Sequence, residues 1–283
     1  MKIAITGATG QLGQLVIQHL LAHTDAHNIV ALVRNVEKAK SLQDQGIEVR
    51  LFDYDHPETL RPALKGIDKL LLISANEIGR RTPQHQAVIE AAKNAHVPYI
   101  AYTSLLNADT SPLGLAQEHR ETEQLIRESG LSYTFLRNNW YAENYLGNLQ
   151  HDIETGVIYG AANDGRIHAA SRSDYAEAAA IILLNTGHDN KIYELAATES
   201  FSKAELAQAI TTVSGKSIRY ANLTPEAYRS GLIQAGLDEG FAAFLADVDF
   251  KTSHGVMQSD RNDLEKILGR PTTALSTIIQ DLI

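Results

Sequence analysis

The run Lys2-Ile3-Ala4-Ile5-Thr6-Gly7-Ala8-Thr9-Gly10-Gln11-Leu12-Gly13 decides the fold. Its first half is a short apolar stretch suited to a strand, and its second half spells GxxGxxG. From Gln11 to Leu21 the residues Leu12, Leu15, Val16 and Leu20 share one face of a helix. A strand that enters a helix through a glycine turn is built to meet phosphate. Glycines let the chain turn sharply and bring backbone N–H groups against a pyrophosphate, whose charge is favoured at a helix N-terminus. Gly7, Ala8, Thr9, Gly10, Gln11, Leu12 and Gly13 are therefore expected to bind a dinucleotide, the strand-turn-helix context giving the glycines their specificity.

Outward from this stretch, short apolar runs alternate with amphipathic ones. Strands are expected at 2–6, 29–33, 48–52, 69–73, 99–103 and 133–136, each continuously apolar, as when helices cover both faces of a parallel sheet. Helices are expected after Thr82-Pro83 and from Gln117 to Ser129, closed by Gly130. Beyond Asn144 the alternation weakens around Gly156, Gly160 and Gly165. It resumes with an Ala-rich helix at 174–184, a strand at 192–195, a helix at 202–213 opened by the capping box Ser202/Glu205, and a strand at 217–220. The fold class is α/β: a Rossmann-type doubly wound parallel sheet with a smaller C-terminal α/β lobe. Residues 1–150 are expected to form the nucleotide-binding domain, with 168–188 packing back on it, and 151–283 the substrate lobe.

The chain has 283 residues, 25 Lys plus Arg against 34 Asp plus Glu, hence a formal net charge of −9, and no cysteine. No basic stripe is available to displace phosphate counterions, which argues against nucleic acid as a partner. Without thiols there is no disulfide, catalytic cysteine or Cys-based metal site. The longest strongly apolar stretch, Ala178 to Leu184, falls far short of the roughly 20 residues of a membrane span, and no signal core follows the N-terminus. A cytoplasmic protein is expected, as a monomer or a homodimer.

Arg34 follows the second strand, twenty-one positions after Gly13 (34 − 13). An acidic residue there would bind the adenosine ribose of NAD, whereas Arg suits the 2′-phosphate of NADP, so NADPH is expected. Lys38 could add a second positive charge but reads rather as a cation on the solvated face of the next helix, and Asp53, after the third strand, as either an adenine-edge residue or a turn residue. Arg172, at the start of the Ala-rich helix, is expected to reach a cofactor phosphate.

The opening Thr6 to Gly13 resembles that of the extended and atypical short-chain dehydrogenases. The segments Leu70-Leu71-Leu72-Ile73-Ser74, Tyr102-Thr103-Ser104-Leu105-Leu106, Ala108 to Ala116 and Arg137-Asn138-Asn139-Trp140-Tyr141-Ala142-Glu143-Asn144 resemble bacterial NAD(P)H:quinone oxidoreductases of the NmrA-like branch. This resemblance covers the whole chain and implies further NADPH contacts from Ser74, Ala75, Asn76, Asn138, Asn139, Trp140, Tyr141, Glu143 and Arg172.

Ordinary members of the superfamily place a Tyr four residues before a Lys, the Lys lowering the phenol's pKa so that it exchanges a proton with an alcohol or carbonyl oxygen. None of the eleven tyrosines here has that Lys, and after the fifth strand stand His119 and Glu123 instead. Tyr133 precedes Arg137 by four, but both belong to a buried strand. A ketone needs a positioned acid, whereas a quinone spreads incoming charge over an aromatising ring. The expected reaction is hydride transfer from NADPH to a quinone with no flavin and no metal. Ser104, His119 and Tyr141 are candidates to assist the acceptor. Trp140 with Tyr141 reads either as an aromatic wall for a flat substrate or as a packing anchor between lobes, and Ser104 equally as a plain turn residue. His19, His23 and His27 recur every four residues without a carboxylate, so no metal site is expected. The rival function is an NmrA-like sensor that binds NADP(H) without turnover.

Overall fold

The computed structural model describes residues 1–283. In chain order the first half comprises β1 (Ile3–Ile5), α1 (Gln11–Leu21), β2 (Ile29–Val33), α2 (Lys40–Asp44), β3 (Glu48–Leu51), α3 (Leu60–Ala63), β4 (Lys69–Leu72), α4 (Arg81–Asn94), β5 (Tyr99–Leu105), α5 (Ala116–Ser129) and β6 (Ser132–Asn138). The second half comprises α6 (Leu149–Thr155), β7 (Val157–Gly160), α7 (Arg172–Leu184), β8 (Lys191–Leu195), α8 (Lys203–Ser214), β9 (Arg219–Asn222), α9 (Pro225–Gln234), α10 (Glu239–Thr252), α11 (Asp263–Leu268) and α12 (Leu275–Gln280).

Seven parallel strands form the main sheet in the order β3-β2-β1-β4-β5-β6-β8. Successive strand residues point to opposite faces, which sorts the apolar runs into two cores. Ile3, Ile5, Ile29, Ala31 and Leu71 meet α1 and α7 on one face, while Ala4, Val30, Leu32, Leu70 and Leu72 meet α4 and α5 on the other. The alanines of α7 at 176, 178, 179 and 180 are all buried and let that helix approach α1 closely. Each fully buried Ile or Leu contributes roughly 1.5–3 kcal/mol, so continuous apolar strands are what hold the sheet between its two helix layers.

The chain leaves β1 toward β2 and β3, then returns to β4 on the other side of β1. Neighbouring connections diverge at this point and open a crevice at the carboxyl ends of the strands, where open α/β sheets bind ligands.

The structure corrects one sequence assignment. The strand expected at 192–195 belongs not to the C-terminal lobe but to the main sheet, where β8 pairs with β6 from Thr134↔Lys191 to Asn138↔Leu195. The reason is long-range: β6 would otherwise leave an open edge, and nothing local to 191–195 marks its partner. Helix α11 then packs on α7 and β8. The lobe's own sheet is a parallel pair of β7 and β9, and β7, flanked by Gly156 and Gly160, was not legible as a strand. A third core beneath it gathers Ile158, Ile167, Phe201, Leu206, Ile210 and Val248, extended by Leu105 at the end of β5 and Leu113 from the loop that follows.

In α6 the partly buried Asp152 carboxyl is raised by desolvation to about 6 from its ordinary 3.8. The folded state thus holds this proton more tightly than the unfolded chain, and stability falls as pH rises through that window. Asp152→Asn is expected to be more stable than the parent by about 1 kcal/mol at about pH 7.5, after discounting for partial solvent screening, with the gain shrinking toward pH 4. Urea unfolding at both pH values checks this; a gain independent of pH rules out the titration as its cause.

Candidate active site

A groove of about 690 Å³ runs along the carboxyl ends of β1 to β4. Its wall carries the turn from Gly7 to Gly13 except Ala8, then Arg34, Asn35 and Lys38 after β2, Phe52 to Asp55 after β3, Ile73 to Glu77 with Arg81 and Gln84 around the start of α4, and Tyr141 and Arg172. Four cations, Arg34, Lys38, Arg81 and Arg172, face three carboxylates, Asp53, Asp55 and Glu77. The groove is thus net positive in a chain of charge −9.

The glycine turn is shaped by contacts that exclude a side chain. Gly7 has φ +58°, a left-handed conformation natural to glycine, and its carbonyl accepts the Gly10 N–H at 2.8 Å. A Cβ at Gly13 would stand 2.3 Å from that carbonyl oxygen and 2.9 Å from the Ala8 Cα, both backbone atoms unable to give way. The N-terminus of α1 carries no side-chain cap, leaving its first N–H groups free for an anion. Ala8 is buried beneath the turn rather than on its surface.

At the far end Arg34 is two-thirds exposed, with Nη1 3.4 Å from Glu77 Oε1. Arg80 reaches the other Glu77 oxygen at 2.8 Å and Asp55 at 2.6 Å, strapping the loop before α4 to the end of β3. Lys38 is exposed, as a solvated-face cation should be, and also borders the groove, its N–H and that of Glu37 donating to Asn35 Oδ1. Asp53 also lies on the wall, and burial pushes the Tyr54 phenol beside it up to about 12.

The segment after β4 is clamped from several sides. Ser74 N–H donates to Thr103 Oγ1 at 2.8 Å, Ala75 N–H to His85 Nε2 at 3.0 Å, and Arg81 Nε to the Ala75 carbonyl at 2.8 Å. Glu118 on α5 accepts the N–H groups of Gly79 and Arg81 at 3.0 and 3.1 Å. Burial, with the Arg81 charge nearby, lowers His85 to about 3, so this imidazole is neutral. Glu77, Arg81 and Gln84 went unnoticed in the sequence. The only available signal was their closeness to Ser74-Ala75-Asn76.

The segment after β6 divides. Tyr141 and Arg172 reach the groove together, the guanidinium stacked 4.6 Å from the centre of the Tyr141 ring. Desolvation raises the Tyr141 phenol above its ordinary value, which disfavours the phenolate a general base would need. Asn138, Asn139, Trp140 and Glu143 do not line the groove. Asn139 Nδ2 ties the His168 and Met257 carbonyls at 3.1 and 3.0 Å, and Glu143 accepts the Arg172 N–H at 2.8 Å at the start of α7. Trp140 turns toward Phe244 in the C-terminal lobe, ring centres 6.3 Å apart. Of its two readings, the structure favours the packing anchor, while Tyr141 lines the groove. Asn138 keeps a buried side-chain oxygen without a partner.

Two of the three residues considered for chemistry face inward. Ser104 lies within β5 and its hydroxyl donates to the fully buried Glu123 at 2.6 Å. Arg137 braces the same carboxylate through Nε and Nη2 at 2.8 and 2.6 Å and reaches Asp109 and Glu194 besides. Glu123, four residues after His119, thus belongs to a charge cluster centred on Arg137. His119 Nδ1 lies 2.7 Å from the Tyr102 hydroxyl, and burial holds its pKa well below the ordinary value, which disfavours the imidazolium a general acid would need. Ser104→Ala and His119→Gln are each expected to keep turnover within about threefold of the parent. A loss in the 10²–10⁴ range of general acid–base catalysis would return either to the chemistry. His19 bonds Ser173 Oγ, and no group of three or more His, Cys, Asp or Glu is gathered to hold a metal. No helix is long and apolar enough to cross a membrane.

The model of the NmrA-like family matches residues 1–276. The chain belongs to the NmrA-like family. Among NmrA-like and related proteins, quinone oxidoreductase 2 of Escherichia coli (strain K12) is 50% identical over 280 residues, covering 99% of this chain and 98% of that protein. The structure of an NADPH-dependent quinone oxidoreductase from Escherichia coli, complexed with NADPH, superposes with a TM-score of 0.96 at 50% identity, covering 99% of each chain. That of the Citrobacter sp. triphenylmethane reductase complexed with NADP(H) gives 0.97 at 40% identity over 100% of each chain.

Proposed function

We propose that the chain catalyses NADPH-dependent reduction of quinones by direct hydride transfer, in the cytoplasm, with the C-terminal lobe closing over the acceptor. The observation that carries this reading is a phosphate-shaped, net-positive groove beside which Ser104 and His119 turn away into the core, Ser104 onto the Glu123–Arg137 pair and His119 onto Tyr102. The groove suits NADP(H): the Gly13 position leaves space only for backbone, and Arg34 and Lys38 stand together where a 2′-phosphate would lie. Bound there, NADPH supplies the hydride.

The chain's own contribution is binding, orientation and exclusion of water. The α1 N-terminus and the glycine N–H groups hold the pyrophosphate, Arg34 and Lys38 the 2′-phosphate, and Phe52 to Asp55 border the adenine. Ser74, Ala75 and Asn76 form the wall toward the reacting end, and Tyr141, stiffened by Arg172, offers a face against which a flat acceptor orients. One hydride converts a quinone to the hydroquinone monoanion, and its remaining proton comes from water, so no side chain must protonate it.

The test is NADPH oxidation by purified protein. A simple quinone is expected to be turned over with a primary isotope effect from C4-deuterated NADPH and no flavin spectrum. A triphenylmethane dye cation, which becomes neutral on taking a hydride, is expected to react, and an unactivated ketone is not. No quinone turnover above the uncatalysed rate overturns the enzymatic reading. It would leave the sensor alternative, in which NADP and NADPH differ in their effect on binding to a protein partner.

A further inference from the structure

Ser74, Ala75 and Asn76 line the groove, yet the central peptide of this wall is held from behind by residues of α4. The Ala75 N–H donates to His85 Nε2 at 3.0 Å and the Ala75 carbonyl accepts from Arg81 Nε at 2.8 Å. His85 is fully buried, does not line the groove, and lies edge-on to Tyr102 with ring centres 5.4 Å apart. Since Nε2 accepts, the single proton of the neutral ring must sit on Nδ1, which is 3.0 Å from Thr122 Oγ1. The Thr122 hydroxyl already donates to the Glu118 carbonyl at 2.8 Å, so toward the ring it can only accept. One tautomer satisfies every group in the chain from Ala75 to Glu118. The other tautomer, or a protonated ring, would set N–H against N–H at Ala75.

We propose that His85, held in its Nδ1–H form by Thr122, is a positioning residue that sets the nucleotide affinity of the groove by fixing the Ala75 peptide. This rests on the nucleotide reading above and adds to it a side chain that touches no ligand. Without the imidazole acceptor, the Ala75 N–H loses its partner and the wall moves to find another, at the expense of the shape that the nucleotide meets.

The experiment compares NADPH affinity and steady-state kinetics in four variants of the full chain. His85→Leu removes the acceptor, and Thr122→Val removes the group that selects the tautomer. Both are expected to raise Kd and KM for NADPH about tenfold while kcat stays within about twofold. His85→Gln, whose Oε1 reaches the position of Nε2, is expected to restore affinity. Tyr102→Phe, which removes the bond to His119 but leaves the Thr122 hydroxyl on Glu118 and His85, is expected to bind as the parent does. In the parent, ¹⁵N correlations should show the ring proton on Nδ1, and amide exchange at Ala75 should be slower than in His85→Leu. Equal losses in His85→Leu and His85→Gln, unchanged affinity in His85→Leu, or a ring proton on Nε2 would overturn the proposal. A parent that fails to bind NADPH overturns the nucleotide reading and the affinity claim together. A parent that binds, beside a His85→Leu variant that binds equally well, overturns the positioning role alone.

Discussion

Alanine at position 13 is expected to weaken NADPH binding by at least about 100-fold while leaving the sheet folded. The added Cβ would lie 2.3 Å from the Gly7 carbonyl oxygen and 2.9 Å from the Ala8 Cα, far inside van der Waals contact. Neither atom can swing aside, so the turn or the first residues of α1 must shift. Overpacking of this kind typically costs about 1–3 kcal/mol. Here the displaced groups are also the N–H donors that meet the pyrophosphate, so the shift is felt twice, in stability and in binding geometry. Gly7, with φ +58°, constrains the same turn from its other side. Calorimetric titration with NADPH, beside far-UV circular dichroism to confirm the fold, gives the comparison. Parental affinity in the Ala variant would mean that the nucleotide does not seat on this turn.

The second large effect is a reversal of charge at Arg34. Arg34→Glu is expected to weaken NADPH by roughly 100-fold or more while changing NADH by no more than about threefold. A charge-assisted hydrogen bond to phosphate contributes roughly 1.5–3 kcal/mol, and a carboxylate in its place adds repulsion. The guanidinium is largely exposed and meets Glu77 at 3.4 Å, so the substitution also sets two carboxylates against each other. Exposure implies that the discrimination narrows as ionic strength rises. Dissociation constants for both coenzymes at two salt concentrations decide it. Equal losses for the two would show that Arg34 does not read the 2′-phosphate.

The parts of the molecule legible in the sequence are those whose chemistry is contiguous. The glycine turn announces itself because Gly7 to Gly13 carry strand end, turn and helix start in one run, and Arg34 is found by counting along the next βα unit. The main sheet follows from apolar runs that need no knowledge of their neighbours. Long-range pairing is what stays hidden. Ser104 looked available because its partner Glu123 stands on another element, and His119 looked available because Tyr102 approaches it from β5. The seventh strand was assigned to the wrong lobe because its partner β6 lies more than fifty residues earlier. Arg81 and Gln84 were missed because they come to the groove from the first turns of α4 rather than from any motif.

The charge cluster beneath β5 bears on how this scaffold can be re-engineered. Installing a tyrosine at 119 and a lysine at 123, to graft alcohol chemistry onto the chain, would remove one of the three carboxylates around Arg137, leave Asp109 and Glu194, and set a second cation beside the guanidinium. Breaking one side of a buried charge pair destabilises by roughly 3–5 kcal/mol, an upper bound here because two carboxylates remain. Libraries screened for carbonyl reduction should therefore vary Arg137 together with Glu123.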